Sequence, residues 1–153
     1  MKLKYGVIFL VSAALIAMGN AIAHLSCIFI GPACYAAQMA PPILVESARN
    51  GTYLAPIANI FVSAIFIVLG LYALSAAGVG RKLPLLKYVI FTVATLCIVR
   101  GILPLQFWLR YPDKVNDVAF YYGVGWFVTG LLYLFGYLLC ANHHKQVIVN
   151  PAQ

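Results

Sequence analysis

Arg100 stands alone among apolar residues in "TLCIVRGILPLQFW". A guanidinium at the centre of a membrane helix costs about 2.5–3.5 kcal/mol on insertion scales, and ionisable residues kept there commonly mark a ligand or ion site. Its chemistry would be to hold an anionic or carbonyl oxygen. The alternative is a side chain that snorkels to the headgroups and has no further role. His24 is the second such residue, in "GNAIAHLSCIFIGPACYAAQMAPPILVESARNG", the stretch from Gly19 to Gly51. An imidazole there could move a proton, bind a ligand or, with Cys27 three positions on, enter a metal site. The plainer alternative is a hydrogen-bonded group on a helix-packing face. Cys27 and Cys34 flank Gly31-Pro32, and an oxidising compartment would permit a disulfide between them. Cys97 and Cys140 read as buried packing residues.

Other chemistries find no support in the residues. The chain has no CxxC and no Cys/His cluster, so no metal site is expected. A haem between two histidines is not expected either, because His143 and His144 belong to the opposite end of the spans from His24. No cofactor is assigned. The three acids, Glu46, Asp113 and Asp117, all lie outside the apolar runs, which disfavours a proton-coupled pump. No nucleophile–base pair is recognisable, so no residue is assigned as catalytic, and an enzyme using His24 or a cysteine ranks behind a binding or accessory protein.

The elements that carry these residues follow from composition. Of 153 residues 64% are hydrophobic and only 8% charged, and the mean hydropathy is +0.96. A soluble domain carries about 25% charged residues, so the sequence predicts an integral membrane protein. The net charge of +7 is spread thinly between apolar runs, which reports topology rather than a nucleic-acid partner. Four runs are long enough to cross a hydrocarbon core as helices, about 5–30, 54–76, 85–108 and 119–140. They predict an all-α fold: one four-helix transmembrane bundle over residues 1–145, with a short cytoplasmic tail at 146–153.

Orientation follows from the cations. Lys2, Lys4, Arg81, Lys82, Lys87 and Lys145 fall on one side with no acid, whereas Arg49, Arg110 and Lys114 on the other are matched by the three acids. The side rich in unmatched Lys and Arg is cytoplasmic, so both termini face inward, in what reads as a bacterial inner membrane. Trp108, Tyr111, Tyr121, Tyr122, Tyr53 and Tyr35 would then form an outer aromatic belt. In the first outer loop "ILVESARNG" after Pro41-Pro42 predicts a short interfacial helix, with proline at its start and Gly51 at its stop. The opening "MKLKYGVIFLVSAALIAMGNAIA" also reads as a secretory signal with cleavage after Ala23. Against that reading, the apolar run resumes at once in "CIFIG", and Ala13, Ala17 and Ala21 recur at the spacing of a packing face.

Helical spacing places the polar residues on faces. Ala13, Ala17, Asn20, His24 and Cys27 share a face of the first span, and Asn59, Ser63, Phe66 and Gly70 share one of the second. Cys97 and Arg100 lie one turn apart in the third, where Pro104 is expected to bend or end the helix. In the fourth, Tyr122, Trp126, Thr129, Tyr133 and Tyr137 form a stripe, and Gly123, Gly130 and Gly136 permit close approach. At about 1.5 Å per residue, Asn20, His24, Asn59, Arg100, Tyr122 and Trp126 all reach the outer third of the bilayer. One outward-facing polar pocket is expected there, with Glu46 as the first candidate counter-charge for Arg100 and Asp113 and Asp117 as its rivals. The expected ligand is apolar or amphipathic, a lipid or a quinone. The alternative is an accessory subunit whose polar groups knit helices, as a homo-oligomer or within a larger membrane complex.

Overall fold

The computed structural model describes the backbone of residues 2–111 and 117–149 and the side chains of residues 3–111 and 117–141. Asp113 and Lys114, and the side chains of Lys2, His143, His144 and Lys145, lie outside the described residues. Among the described residues every regular element is a helix. These are α1 (Lys2–Ile30), α2 (Pro32–Ala37), α3 (Pro42–Arg49), α4 (Leu54–Ala76), α5 (Leu86–Arg110) and α6 (Asp117–Val149). Four of them, α1, α4, α5 and α6, are long and apolar enough to cross a membrane, which marks an integral membrane protein.

Local chemistry sets most of the boundaries. Gly31 ends α1 at φ +91°, in the left-handed half of backbone space that a β-carbon disfavours. Pro32 then opens α2, and Pro42 opens α3, at positions where a helix needs no N–H. The α3 helix is the one expected after the Pro-Pro pair; α2 was not expected, because six residues carry too little periodicity to announce a helix. The α4 helix closes on Gly78 with bonds from Gly78 N–H to the Ser75 carbonyl (3.2 Å) and from Val79 N–H to the Leu74 carbonyl (2.9 Å). That pair is the glycine-terminated helix stop.

Two boundaries differ from expectation. The α5 helix passes through Pro104 and ends at Arg110, two residues beyond the expected span. Proline is tolerated inside a membrane helix when neighbouring elements compensate, but it has no N–H for the carbonyl four residues back, which is that of Arg100. The α6 helix continues beyond its apolar part, which ends at Ala141, as far as Val149; part of the expected tail is therefore helical.

The chain forms two compact units, Leu15–Gly70 and the combination of Met1–Ala14 with Leu71–Gln153. In the first, Cys27, Tyr35 and Ala55 make a buried cluster against which Cys34, Ala40, Leu44, Val45 and Ala48 pack. In the second, α5 and α6 touch almost backbone to backbone. A β-carbon placed on Gly130 would lie 2.7 Å from Ile98 Cγ1, and one on Gly101 2.6 Å from the Phe127 nitrogen. The start of α1 approaches α6 in the same way through Gly6 and Gly136.

Candidate ligand site

Within the α5–α6 pair, Arg100 is exposed on the protein surface and its guanidinium carbon stands 5.3 Å from the centre of the Trp126 ring. A cation at that distance is attracted by the negative face of the indole, and the attraction strengthens when water is excluded. Because α5 runs on to Arg110, ten residues or about 15 Å of helix separate Arg100 from that end. Trp126 stands nine residues, about 14 Å, into α6, so the pair sits at one level. Arg100 makes no ion pair among the described residues. Cys97, one turn earlier, is buried, as is Tyr133, whereas Tyr122, one turn before Trp126, is exposed. Thr129 donates to the carbonyl of Gly125 (2.8 Å), closing its hydroxyl onto its own helix.

The unit Leu15–Gly70 uses its polar groups differently. Asn59, only 5% exposed, donates from Nδ2 to the main-chain carbonyl of His24 (2.7 Å). Ser63 donates to the carbonyl of Ala21 (3.2 Å). These two bonds tie α4 to α1, one turn apart on each helix. The His24 ring stacks on Phe66 with centroids 5.5 Å apart and planes 15° apart; its Nδ1 is buried without a partner in hydrogen-bonding geometry, with Asn59 as its polar neighbour. Asn20 donates to the Ile16 carbonyl of its own helix (2.8 Å). The carboxylate of Glu46 accepts from Arg49 (3.4 Å) and Asn50 (3.0 Å), both within one turn and exposed.

A second small network caps this unit. Cys27 and Cys34 form a disulfide with Cα atoms 5.1 Å apart, fastening α2 to the end of α1. Gln38 bridges the same two elements, donating to the Ala23 carbonyl (2.8 Å). Ser47 of α3 shares a hydrogen bond with the Thr52 hydroxyl (2.7 Å) and accepts from the Ala55 amide in the first turn of α4 (2.9 Å). Tyr35, expected in an aromatic belt, is instead a core residue, 2% exposed, with a hydroxyl that is buried and unpartnered. Burial pushes its pKa above the ordinary tyrosine value.

Of the residues selected from the sequence, the structure joins Arg100 to Trp126 in one unit and His24 to Asn59 in the other, and it bonds Cys27 to Cys34. Sequence reasoning missed Ser47, Gln38 and Gly101. The first two are polar residues in a loop and carry no periodic signal, but Ala94, Cys97 and Gly101 recur at helical spacing and could have been read as the small face opposite Gly123 and Gly130. Among the described residues no group of three His, Cys, Asp or Glu side chains could hold a metal ion. Set against protein-family models, curated proteins and solved structures, the chain finds no match.

Proposed function

We infer that this is a bacterial inner-membrane protein, a four-helix bundle with both termini in the cytoplasm, that binds a lipid or quinone from the outer half of the bilayer. Arg100 holds the ligand's anionic or carbonyl oxygen, and Trp126 and Tyr122 supply the apolar wall. The observation that carries this reading is an arginine inside a span, exposed, stacked over an indole and without an ion pair among the described residues. An arginine whose only task was to join helices would be expected to sit against a carboxylate or a row of carbonyls. Pro104 adds to the polarity of the same turn by withholding a hydrogen bond from the Arg100 carbonyl. On this reading α3 lies in the outer interface, with Glu46 and Arg49 toward water.

The accessory-subunit reading has its own support in Leu15–Gly70. There Asn20, His24, Asn59 and Glu46 engage partners within their own unit, and Asn59 and Ser63 join two helices. Replacing Arg100 by leucine separates the two readings. Native mass spectrometry of the purified protein should lose its co-purified lipid or quinone, and stability in detergent should hold, since a costly charge has been removed. Retention of the same bound molecules by Arg100→Leu, with oligomeric assembly lost instead, would abandon the binding reading for the accessory one.

A further inference from the structure

The turn between α4 and α5 carries Arg81 and Lys82, with Lys87 in the first turn of α5, and all three side chains are exposed. No acid occurs between Glu46 and Asp113 in the chain, so no neighbour in sequence neutralises them. Unlike most basic loops, this one is held. Ser75, buried in the last turn of α4, donates to the Arg81 carbonyl (2.9 Å) and accepts from the Leu83 amide (3.0 Å). Tyr72 donates from its hydroxyl to the Pro84 carbonyl (3.2 Å). The backbone from Arg81 to Pro84 is therefore fastened to α4 at the Arg81 carbonyl and again just after Lys82, and little backbone freedom remains to be lost when the cations engage a ligand. Directly beside the charges stand Leu85 and Tyr88, each 69% exposed.

Fixed cations next to exposed apolar side chains, where one span ends and the next begins, match a molecule with an anionic head and hydrocarbon tails. We propose that the α4–α5 turn is a binding site for anionic phospholipid in the leaflet it adjoins. Arg81 and Lys82 take the phosphodiester, Lys87 adds positive potential, and Leu85 and Tyr88 lie along the acyl chains. A soluble phosphate compound offers the same head but leaves the apolar pair uncovered. This site is separate from Arg100, which lies thirteen residues, about 20 Å, beyond Lys87 along α5.

The test is native mass spectrometry of the full chain in detergent, titrated with phosphatidylglycerol or phosphatidylcholine. The wild type should bind phosphatidylglycerol at least about thirtyfold more tightly, two cations at about fivefold each. Each cation near a membrane surface contributes about a fivefold effect, so R81Q/K82Q should weaken phosphatidylglycerol about thirtyfold and leave phosphatidylcholine unchanged. K82Q alone should give about fivefold, and it serves should the double variant fail to fold. Ser75→Ala keeps every charge but unties the turn, and should weaken phosphatidylglycerol severalfold. In an Arg100→Leu background the R81Q/K82Q loss should be the same size. Equal binding of the two lipids by the wild type, or unchanged phosphatidylglycerol binding by R81Q/K82Q, would overturn the site. Displacement of the lipid by an equal concentration of inorganic phosphate would overturn the lipid as its occupant, and wild-type binding by Ser75→Ala would overturn the role of the fastened turn.

Discussion

Replacing Gly101 by alanine tests how closely α5 and α6 approach. The added β-carbon would meet the Phe127 nitrogen at 2.6 Å, the Gly123 carbonyl oxygen at 2.7 Å and Phe127 Cβ at 2.7 Å. Ordinary contact begins near 3.4 Å, so α6 must retreat by about 0.7 Å or more. Because two of the three atoms are backbone, no side chain can swing aside, and the cost belongs at the upper end of the overpacking range, about 3 kcal/mol. Alanine also gains about 1 kcal/mol over glycine in helix propensity. The net expectation is a loss of about 2 kcal/mol, read from SDS-titrated unfolding followed by far-UV circular dichroism. Gly125 is the control. It lies in the same helix as Gly123 but with nothing within 4 Å of its would-be β-carbon, so Gly125→Ala keeps the propensity gain and should leave stability level or raised. Opposite signs at the two glycines are the prediction. A Gly101→Ala protein as stable as the Gly125→Ala protein would refute the backbone contact.

Three further outcomes follow from the unit Leu15–Gly70. Alkylation without reductant should label Cys97 and Cys140 on unfolding and spare Cys27 and Cys34; replacing both bridged cysteines by serine should cost about 2.5 kcal/mol, the loop-entropy value for so short a ring, and labelling of Cys27 in untreated protein would rule the bridge out. Asn59→Ala should destabilise by about 0.6–1.7 kcal/mol, the range found for hydrogen bonds between membrane helices, and Ser63→Ala by less because its bond is longer; the reverse order would argue against this pair of bonds. Ser47→Ala removes the acceptor for the Ala55 amide and should cost about 1 kcal/mol, with faster hydrogen exchange confined to the first turn of α4 as its signature.

The long helices were legible because lipid enforces them. A run of apolar residues with no water to satisfy its backbone has one open-chain solution, and the second span begins and ends where the sequence placed it, at Leu54 and Ala76. Gly130 and Gly136 were legible for a related reason: with little hydrophobic drive between helices, small residues mark where backbones meet. Pro104 was expected to bend or end α5 on the precedent of soluble helices, and the helix instead continues through it in a setting that tolerates proline. Tyr35 was misplaced because aromatic residues near span ends are ordinarily interfacial; the disulfide and α3 instead close over it, and neither contact is visible in a one-dimensional pattern. Ser47 was illegible because its partner, the Ala55 amide, belongs to another helix.

The polar residues of the spans sort by what they bond to. Asn20, Asn59, Ser63 and Thr129 all donate to main-chain carbonyls, and a neutral donor given to a carbonyl completes its chemistry inside the protein. Any of them could be replaced by an apolar residue of similar size at a cost near 1 kcal/mol, which is the economy of a structural group. Arg100 does not fit that pattern. Its five N–H donors are always charged, its described contact is the face of an indole, and an indole face accepts charge but leaves donors to spare. A cation–π contact steadies the guanidinium without satisfying it. Those remaining donors, held beside the indole and open to the surface of the protein, are what an anionic or carbonyl oxygen from the bilayer would complete, and this is why Arg100, rather than His24 or Asn59, is the residue on which the binding reading stands.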